Sequence, residues 1–526
     1  MRDPGRDDPR RRDRERGDAR AWSGGSAGRG MPPGYVSHPS GQPAGSGLAR
    51  PGPARPVAQP VRLTRRGRIW AWVASVFTAV VVVVSLGAYA VYAKLDGNLH
   101  VVNAFGGLQN RPPAGPPGVE NILILGSQTR DGQGPGFGHD PGTDLSDNLV
   151  LVHVDAAHTH ATVVSIPRDT LVYEPACPSR TGSGTEPAIP DAIIDGAMNE
   201  GGPVCAVATV EHLTGIRIDH FVRFDFNSFR TMVDVLGGVE VCLPQAVHDP
   251  YSHLDLAAGR HLVTGNQALA FVRTRHGVGD GGDLGRIKLQ QEFMSSLMQK
   301  VTSQKTLENP VKLLQIADAG TKALTVDPGL GSVAKLLGQA AMARNLHTRD
   351  VTFVTMPTLT DPADPNRLLT AQPQDDVIWQ MLKADQLWHG HLPTPAAAQV
   401  RVSVLNGSAV SGLAAQTAAG LRKLGLDVVS VGDAWAATAT TTVSYADGSA
   451  AGAYVLARAL NQPPAAQNTG SSGPLTLTVG SDFAGVRVPA APSGSGAASS
   501  TGPAPVQTRN AADNICSGVP DANPSP

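Results

Sequence analysis

The stretch Ala161-Thr-Val-Val-Ser-Ile-Pro-Arg-Asp-Thr170 decides how the rest of the chain is interpreted. Its β-branched run predicts a buried strand over residues 162–166, because branched side chains pack well in a pleated sheet. Pro167 is expected to end this strand, since proline has no N–H group for the ladder. Arg168 and Asp169 follow directly, so two charged side chains are predicted at the tip of a buried strand.

A second stretch, Ala270-Phe-Val-Arg-Thr-Arg275, also places arginines beside apolar residues. If this stretch is a strand, Arg273 and Arg275 point to the same side, because side chains alternate with a period of two. Two guanidinium groups on one face favour the binding of a phosphate or diphosphate. The alternative is that Arg168, Arg273 and Arg275 only pair with carboxylates at the rim of the fold.

Length and composition limit the classes of protein that need to be considered. The chain has 526 residues, so two or more domains are expected. Its formal net charge is −1, and without a basic excess nucleic acid is not expected as a partner. Glycine and proline are abundant, at 59 and 42 residues, which indicates long flexible segments as well as turns.

The first 92 residues predict a membrane anchor behind a disordered tail. Residues 1–68 have a mixed-charge start and then a Gly/Pro/Ser/Ala-rich composition, so they are expected to be disordered. Residues 69–92 form an uncharged apolar run, long enough for the roughly 20 residues with which a helix crosses a bilayer. Several arginines precede the run, whereas Lys94 and Asp96 follow it. The positive-inside rule therefore predicts a single-pass protein of the cell membrane with a cytoplasmic N-terminus and extracytoplasmic domains. A signal peptide is the alternative, although no clear cleavage site is present.

The region after the predicted anchor shows a regular alternation of strands and helices. Residues 93–116 contain a proline-rich stretch and are expected to be a stiff linker. The predicted strands are 121–125, 149–154, 162–166 and 239–243, with the second and third paired across a turn. The predicted helices are 204–213, 228–236, 265–271 and one that begins at 283. This alternation predicts an α/β domain with layered helices and strands over residues 117–387.

Several motifs in this domain together resemble the LytR-CpsA-Psr family. They are Asn121–Arg130, Asp147, Ser165-Ile-Pro-Arg-Asp169, Asp219-His-Phe-Val with Asp225-Phe, Leu236-Gly-Gly-Val239, Val272-Arg-Thr-Arg275 and Asp283-Leu-Gly-Arg286 with Gln290-Gln291. The resemblance implies a layered α/β/α domain with a central mixed sheet and a polyprenyl tunnel beneath it. It also implies a membrane-anchored phosphotransferase that moves a glycopolymer from an undecaprenyl-diphosphate carrier onto peptidoglycan or another cell-wall acceptor.

The resemblance also assigns roles to individual residues. The residues implied to bind the diphosphate are Arg130, Arg168, Arg273, Arg275, Arg286 and Gln290. The residues implied to be catalytic are Asp147, Arg168, Arg273 and Arg275. Asp147 matches an aspartate that helps to hold Mg2+ (or Mn2+) near the phosphates. These assignments are chemically consistent, because phosphoryl transfer depends mainly on neutralising charge on the non-bridging oxygens.

The sequence departs from the family pattern at four positions. Gln128 stands where aspartate is usual, Leu145 and Leu289 where arginine is common, and Ile193 where lysine is common. Gln128 still offers a carbonyl oxygen, and Asp144 lies three residues from Asp147, so the expected metal ligands are Asp147, Asp144 and Gln128. A solvated turn or a helix cap is the alternative for the two aspartates.

These departures leave more than one function open. The first hypothesis is the phosphotransferase itself. The second is a non-catalytic protein of the same fold that binds a polyprenyl phosphate or the cell wall. A secreted diphosphate hydrolase is a third hypothesis. Turnover with and without magnesium would distinguish an enzyme from a binding protein.

The four cysteines fit an oxidising exterior. Cys177 and Cys205 flank a Pro/Gly/Ser-rich insertion, and a disulfide between them would staple that loop. Relatives often carry a cysteine where Arg260 stands, so Cys242 is expected to be a buried thiol. Cys516 lies in a segment predicted to be disordered, and the sequence does not choose among the possible pairings.

A second, smaller unit follows a Pro/Ala/Thr-rich linker over residues 388–399. Strands at 400–405, 427–431 and 475–479, with helices at 410–424 and 450–460, predict a small α/β domain over residues 400–488. It resembles the LytR C-terminal domain of actinobacterial relatives. The turn Asn406-Gly-Ser408 is only a weak candidate for an anion site, since the lysine of a P-loop is missing. Residues 489–526 are predicted to be disordered.

Overall fold

The computed structural model describes residues 64–129, 144–180, 184–275, 282–470, 473–487, 506–514 and 516. Its first element is helix α1, Arg65–Gly97, which contains the whole uncharged run 69–92. This helix of 33 residues is long and apolar enough to cross a membrane. At its C-terminal end the helix continues five residues beyond the predicted span 69–92. Charged residues such as Lys94 and Asp96 do not interrupt a helix, although they do interrupt an apolar run.

The main domain follows α1 and consists of seventeen strands and nine helices within the described residues. The strands are β1 His100–Val101, β2 Glu120–Ser127, β3 Ser146–Val154, β4 Ala161–Ile166, β5 Leu171–Glu174, β6 Cys177–Pro178, β7 Thr185–Glu186, β8 Ile189–Ile193, β9 His220–Phe224, β10 Val239–Leu243, β11 Val247–Asp249, β12 Leu254–Leu256, β13 Gly259–Val263, β14 Thr325–Val326, β15 Val351–Thr355, β16 Thr358–Thr360 and β17 Leu368–Thr370. The helices are α2 Ala197–Gly201, α3 Pro203–Thr214, α4 Phe226–Leu236, α5 Gly265–Arg273, α6 Asp283–Val301, α7 Gln304–Leu307, α8 Pro310–Ala323, α9 Val333–Met342 and α10 Gln374–Lys383.

The C-terminal region adds a smaller set of elements. They are β18 Arg401–Asn406, α11 Leu413–Lys423, β19 Asp427–Asp433, β20 Thr442–Tyr445, α12 Ala450–Arg458, β21 Ala465–Asn468, β22 Leu475–Val479 and β23 Thr508–Asn510. Five of these strands form one sheet in the order β19-β18-β22-β20-β21. The prediction of a second small α/β domain is therefore confirmed.

An eight-stranded mixed sheet forms the centre of the main domain, in the order β1-β14-β9-β2-β3-β4-β15-β23. β3 pairs antiparallel with both β2 and β4, which includes the predicted pairing of 149–154 with 162–166. β9 joins β2, and β15 joins β4, in parallel. The α/β class with a central mixed sheet is thus confirmed.

Alternate residues of β2 and β3 face two different environments. Leu123, Leu125 and Leu151 are fully buried in a core that also contains residues of α3 and α10. Ile124 and Val150 point to the opposite face, where they border a cavity covered by α4, α5 and α6. The period-two pattern of the strands therefore separates a packed face from a cavity face.

The stretch 93–116, expected to be a stiff linker, instead packs against the main domain. β1 pairs with β14 at the edge of the sheet, and Ala104 is fully buried. The guanidinium of Arg111 donates to the Glu211 carboxylate at 2.6 Å and to the Ile218 carbonyl at 2.5 Å. The proline-rich composition hid these contacts, because one ion pair and a two-residue strand leave no periodic signal.

The C-terminal segment also packs on the main domain, which corrects the prediction of disorder for residues 508–510. β23 pairs antiparallel with β15 and completes one edge of the main sheet. Its sequence Thr-Arg-Asn is polar, and an edge strand of this length depends on backbone pairing rather than on a hydrophobic run.

The same segment closes a disulfide that the sequence did not indicate. Cys242 pairs with Cys516, so Cys242 is not a free thiol. Arg260 lies directly opposite Cys242 on β13 but pairs with Glu240, which leaves the sulfur to Cys516. Cys177 and Cys205 form the disulfide that was expected from the sequence.

Candidate functional site

One cavity of about 480 Å3 lies between the sheet and helices α4, α5 and α6. Polar residues line it where β2 and β4 end and α6 begins, and apolar residues line it further along these elements. The polar set includes Gln128, Asp147, Arg168, Arg273, Arg275, Arg286 and Gln290. The apolar set includes Ile124, Val150, Phe224, Phe226, Phe229, Met232, Phe293, Met294, Leu297 and Leu324. The cavity therefore combines an apolar chamber with a cationic wall.

Arg168 is held at the end of β4 by surrounding carboxylates. Its Nη1 pairs with the carboxylate of Asp147, and its backbone N–H donates to Asp283 Oδ2 at 3.2 Å. Burial disfavours the charged guanidinium, but the neighbouring carboxylates, Asp147 foremost, outweigh burial and raise the pKa of Arg168. Arg168 is therefore a fixed cation in the cavity wall.

The first turns of α6 bring two more polar residues to the same wall. Arg286 is buried, and its Nη2 pairs with Asp283 one turn earlier. Gln290 lies one turn further along and donates from Nε2 to the Val272 carbonyl at 3.1 Å, which ties α6 to α5. The i, i+4 spacing of Arg286 and Gln290 puts both side chains on one face of the helix.

Three arginines of the wall retain buried N–H groups without a hydrogen-bond acceptor among the described residues. These groups are Arg168 Nε, Arg275 Nη2 and Arg286 Nε. Leaving a buried donor unsatisfied costs about 1–3 kcal/mol, and native structures contain few such groups. An anion in the cavity would supply the missing acceptors, so this wall is a candidate anion site, in which Arg168 Nε also lies 3.6 Å from Asp169 Oδ1.

The stretch 270–275 is not a strand, which corrects the expected geometry of its two arginines. Helix α5 continues through Arg273, and the Thr274 hydroxyl donates to the Ala270 carbonyl at 2.9 Å. Arg273 stacks on the Phe226 ring at 4.6 Å, and the Arg275 backbone N–H donates to Asp249 Oδ2 at 3.3 Å. Both arginines line the cavity, as expected. They do so from the end of a helix and the residues after it, and not from one face of a strand.

The proposed metal ligands have different environments. Gln128 and Asp147 line the cavity, whereas Asp144 is not among the residues of its wall. Asp144 Oδ1 accepts from the Ser127 hydroxyl at 2.5 Å, and its Oδ2 accepts from Arg180 at 2.7 Å and Arg223 at 2.8 Å. The Asp144 carboxylate is therefore already paired with two guanidinium groups, whereas Asp147 is paired with one, that of Arg168.

The two donors that line the cavity, Asp147 and Gln128, fit a magnesium ion only if substrate phosphates also bind it. Asp147 offers a carboxylate and Gln128 a neutral carbonyl, which is one charged ligand fewer than the family pattern implies. Mg2+ is commonly held by one or two carboxylates together with substrate phosphates. Elsewhere in the described ranges, the one compact group of possible ligands is Glu174 with Cys177 and Cys205, whose sulfurs form a disulfide.

The other residues singled out from the sequence have varied environments. Arg130 lies outside the described residues. Leu289 is buried in a hydrophobic cluster with Phe293, and Ile193 ends β8. An arginine at position 289 would therefore meet an apolar core in this chain.

Sequence reasoning missed several residues that shape the site. Asp195 lies just after β8, and its backbone N–H donates to the Arg168 carbonyl at 3.3 Å. Burial raises the pKa of Asp195 to about 6, although Arg168 opposes the shift. Arg223, Phe226 and Asp283 were also missed in these roles, because their partners are distant in sequence and only the fold brings them together.

Comparisons with known proteins agree with this architecture. Residues 110–384 match the LytR_cpsA_psr family, and residues 399–483 match a domain described as LytR cell envelope-related transcriptional attenuator. The chain is 33% identical over 409 residues to the cell wall biosynthesis protein LcpA of Corynebacterium glutamicum, covering 69% of this chain and 76% of that protein. It is 30% identical over 225 residues to the polyisoprenyl-teichoic acid–peptidoglycan teichoic acid transferase TagU of Oceanobacillus iheyensis, covering 43% and 64%. A LytR-Csp2A-Psr enzyme from Actinomyces oris aligns with a TM-score of 0.41 and 24% identity, over 54% of this chain and 96% of that chain.

Proposed function

The chain belongs to the LytR-CpsA-Psr family, and we propose that it is a membrane-anchored, extracytoplasmic glycopolymer phosphotransferase. It would move a glycopolymer from an undecaprenyl-diphosphate carrier onto peptidoglycan or another cell-wall acceptor. The observation that supports this proposal is one cavity with an apolar chamber and a wall of arginines, three of which have a buried N–H group without an acceptor among the described residues. The name of TagU, which describes transfer of teichoic acid to peptidoglycan, supports the same class of reaction.

The two parts of the cavity match the two parts of such a donor. Phe229, Phe293 and Leu297 would contact the polyprenyl chain, which gains free energy when apolar surface leaves water. Arg168, Arg275 and Arg286 would donate to the diphosphate oxygens. Arginine suits this role because its planar group binds phosphate through two parallel hydrogen bonds.

The arginines would also promote the transfer step. An acceptor sugar hydroxyl attacks the phosphorus that carries the glycan, forming a new O–P bond. The O–P bond to the polyprenyl phosphate breaks, and the hydroxyl proton is transferred to the departing polyprenyl phosphate. Fixed cations stabilise charge on the non-bridging oxygens during this step without reorganising.

Asp147 and Gln128 are the residues that would hold Mg2+ (or Mn2+). When bound, the ion would neutralise further phosphate charge beside the arginines. Arg168 already pairs with Asp147, so the ion and the Arg168 guanidinium would have to share the Asp147 carboxylate.

The anchor is proposed to have its N-terminus in the cytoplasm. Arg65, Arg66 and Arg68 precede the apolar run, and Lys94 is balanced by Asp96 after it. This asymmetry would keep the first segment inside and place both folded domains outside the cell membrane. Protease added to wall-free cells should then digest the region after residue 93 and spare residues 1–68.

The second candidate is a non-catalytic polyprenyl-phosphate or cell-wall binding protein. The observation that favours it is the weak set of expected metal ligands, since Gln128 is neutral, Asp144 is held by two arginines and Asp147 is paired with Arg168. Such a protein would retain the lipid site and lack turnover.

The deciding experiment measures transfer with the full chain in lipid nanodiscs. The donor is a synthetic undecaprenyl-diphosphate-linked glycan, and the acceptor is uncrosslinked peptidoglycan, with and without Mg2+. We expect covalently attached glycan and an equal amount of released polyprenyl phosphate. Arg275→Ala should abolish most of this activity, whereas Arg349→Ala, at an exposed arginine outside the cavity, should not. Tight donor binding without product under all conditions would reject the enzyme and favour the binding protein.

A further inference from the structure

Polar side chains at the end of α1, and of the residue that follows it, contact two helices of the main domain. Lys94 Nζ lies 2.9 Å from Asp318 Oδ1 on α8, and Asn98 Nδ2 donates to Asp318 at 3.3 Å and to Thr321 at 3.2 Å. Asp96 Oδ1 accepts from the backbone N–H of Val333, the first residue of α9, at 2.9 Å. The last turns of α1 therefore fix the position of α8 and α9.

This junction stays charged at neutral pH. Hydrogen bonds from Lys322 and then from Lys94 lower the pKa of Asp318 to about 2. The Asp318 carboxylate therefore remains ionised and paired, so the contact between α1 and α8 does not depend on a change of protonation near pH 7.

The junction also lies very close to the membrane that α1 would span. The uncharged run of α1 ends at Tyr92, and Lys94 follows two residues later. At 1.5 Å per residue, the contacts with α8 and α9 begin about 3 Å, roughly half a helical turn, beyond the apolar run. Side chains next to these contacts are therefore within reach of the lipid surface.

Helix α8 exposes apolar side chains on the face that contacts α1 through Asp318. Val311 is 65% exposed and Leu314 is 45% exposed. Their spacing from Asp318 is seven and four residues, so all three lie on one face of the helix. The apolar side chains thus point to the same side as the contact with α1.

Helix α9 also presents an apolar stripe to solvent. None of its residues is buried, and Leu337 is 63% exposed. Ala334 and Ala341 are also exposed, three residues before and four residues after Leu337, so the three side chains share one face of the helix. Single exposed apolar residues are ordinary, but a contiguous set beside a membrane helix marks an interaction surface.

Exposed lysines accompany these apolar residues. The side chains of Lys94 and Lys322 are 62% and 55% exposed, beside the Asp318 carboxylate that they neutralise. Apolar side chains next to lysines are typical of helices that lie in the interface of an anionic bilayer.

We propose that α8 and α9 form a membrane-docking surface, defined by Val311, Leu314, Leu337 and Lys322, that rests on the bilayer spanned by α1. The occupant is the lipid surface itself, because α1 leads from that bilayer directly into both helices. The surface holds the main domain against the membrane at a fixed orientation.

Docking would also connect the bilayer with the cavity, a consequence that rests on the proposed function. Ala323 ends α8, and it lines the apolar part of the cavity together with Leu324 and with Met232 of α4. With α8 on the lipid surface, a polyprenyl chain would travel a short path from the bilayer to the chamber.

Site-specific fluorescence quenching tests the docking directly. The described cysteines all form disulfides, so a single introduced cysteine can be labelled with bimane without reduction. Leu314→Cys and Leu337→Cys are placed in the full chain in vesicles of phosphatidylethanolamine and phosphatidylglycerol. Leu359→Cys is the matched control, since Leu359 is 46% exposed on β16, beside the opposite edge of the sheet.

We expect doxyl-labelled lipid to quench bimane at positions 314 and 337 at least threefold more than at position 359. Equal quenching at all three positions would overturn the proposal. Energy transfer between labelled copies, without quenching by lipid, would instead assign the surface to a second copy of the chain and also overturn it. None of these outcomes depends on phosphotransfer, so failure of the enzyme proposal stays distinguishable.

A second pair of variants tests the link to the donor lipid. Leu337→Glu should lower transfer from a membrane-embedded undecaprenyl donor about tenfold and leave transfer from a short-chain, water-soluble donor unchanged. Leu359→Glu should change neither rate. Equal loss with both donors in a folded Leu337→Glu variant would show that the surface does not serve lipid access.

Discussion

On one face of the central sheet, Leu123, Leu125 and Leu151 are fully buried against α3 and α10. On the other face, Ile124 and Val150 of the same strands border a cavity of about 480 Å3. The strands supply apolar side chains to both faces, so the difference comes from the covering helices. Helices α4, α5 and α6 leave a chamber and bring arginines to its end, which makes this face suitable for an amphipathic ligand.

The largest expected effect separates the two faces by stability. Leu151→Ala removes a fully buried side chain from the packed face and should lower the free energy of unfolding by about 3–5 kcal/mol. Ile124→Ala should cost less than about 2 kcal/mol, because Ile124 already borders empty volume. Denaturant unfolding of the full chain in detergent measures both. Equal losses would contradict the view that only one face is tightly packed.

The second prediction separates two arginines within the cavity wall. Arg275 has a buried N–H group without an acceptor among the described residues, whereas Arg273 stacks on Phe226. Arg275→Lys keeps the charge but loses paired hydrogen bonds of about 1.5–3 kcal/mol, so affinity for an undecaprenyl diphosphate should fall roughly tenfold or more. Arg273→Lys should have a smaller effect. Isothermal titration with the same lipid tests this order, and unchanged affinity of Arg275→Lys would argue for a purely structural arginine.

A third prediction concerns the pH dependence of the wall. The pKa of Asp195 is raised from 3.8 to about 6 in the folded protein. Well below pH 3.8 the carboxyl is protonated in both the folded and unfolded states, whereas above pH 6 the folded state must hold a buried charge. Asp195→Asn should therefore add about 1–2 kcal/mol of stability at pH 7.5, a value reduced for solvent near the carboxyl, and should add nothing at pH 3.5.

Thermal unfolding of both forms between pH 3.5 and 7.5 measures this difference. Asp513→Asn is a suitable control, because Asp513 is an exposed carboxylate of the C-terminal segment, away from the wall. A stabilising effect that is largest at low pH would have the wrong sign and would reject the raised pKa.

The smallest expected effect is on the floor of the chamber. A Cβ atom at Gly126 would lie 3.1 Å from Asn148 Cβ and 3.5 Å from the Phe224 ring, so Gly126→Ala crowds the cavity slightly. Lipid affinity should fall about two- to fivefold, which is under about 1 kcal/mol. Gly432→Ala in the C-terminal domain, whose Cβ would meet Leu405 at 3.6 Å, is the matched control and should leave lipid affinity unchanged. Tighter lipid binding by Gly126→Ala would show that the chamber is too wide for its ligand.

The sequence predicted those features that depend on local patterns. β-branched residues and a proline predicted the strand 162–166 and the arginine at its tip. They also predicted the pairing of this strand with 149–154. The helical end at Arg273 was missed, since the apolar run of five residues before it, 268–272, is compatible with either a strand or a helix. The partners of Asp144, Asp195 and Cys242 were also missed, because long-range contacts leave no local signal.

The strand β23 gives the molecule an unusual order of assembly. Thr508–Asn510 and Cys516 lie beyond the whole C-terminal domain, yet they complete the first domain's sheet and disulfide. During synthesis, the residues that finish the first domain would leave the ribosome after the second domain has already emerged. A fragment that ends at residue 387 would expose the edge of β15 and leave Cys242 unpaired. The boundary between the domains is therefore not a boundary between independent folding units.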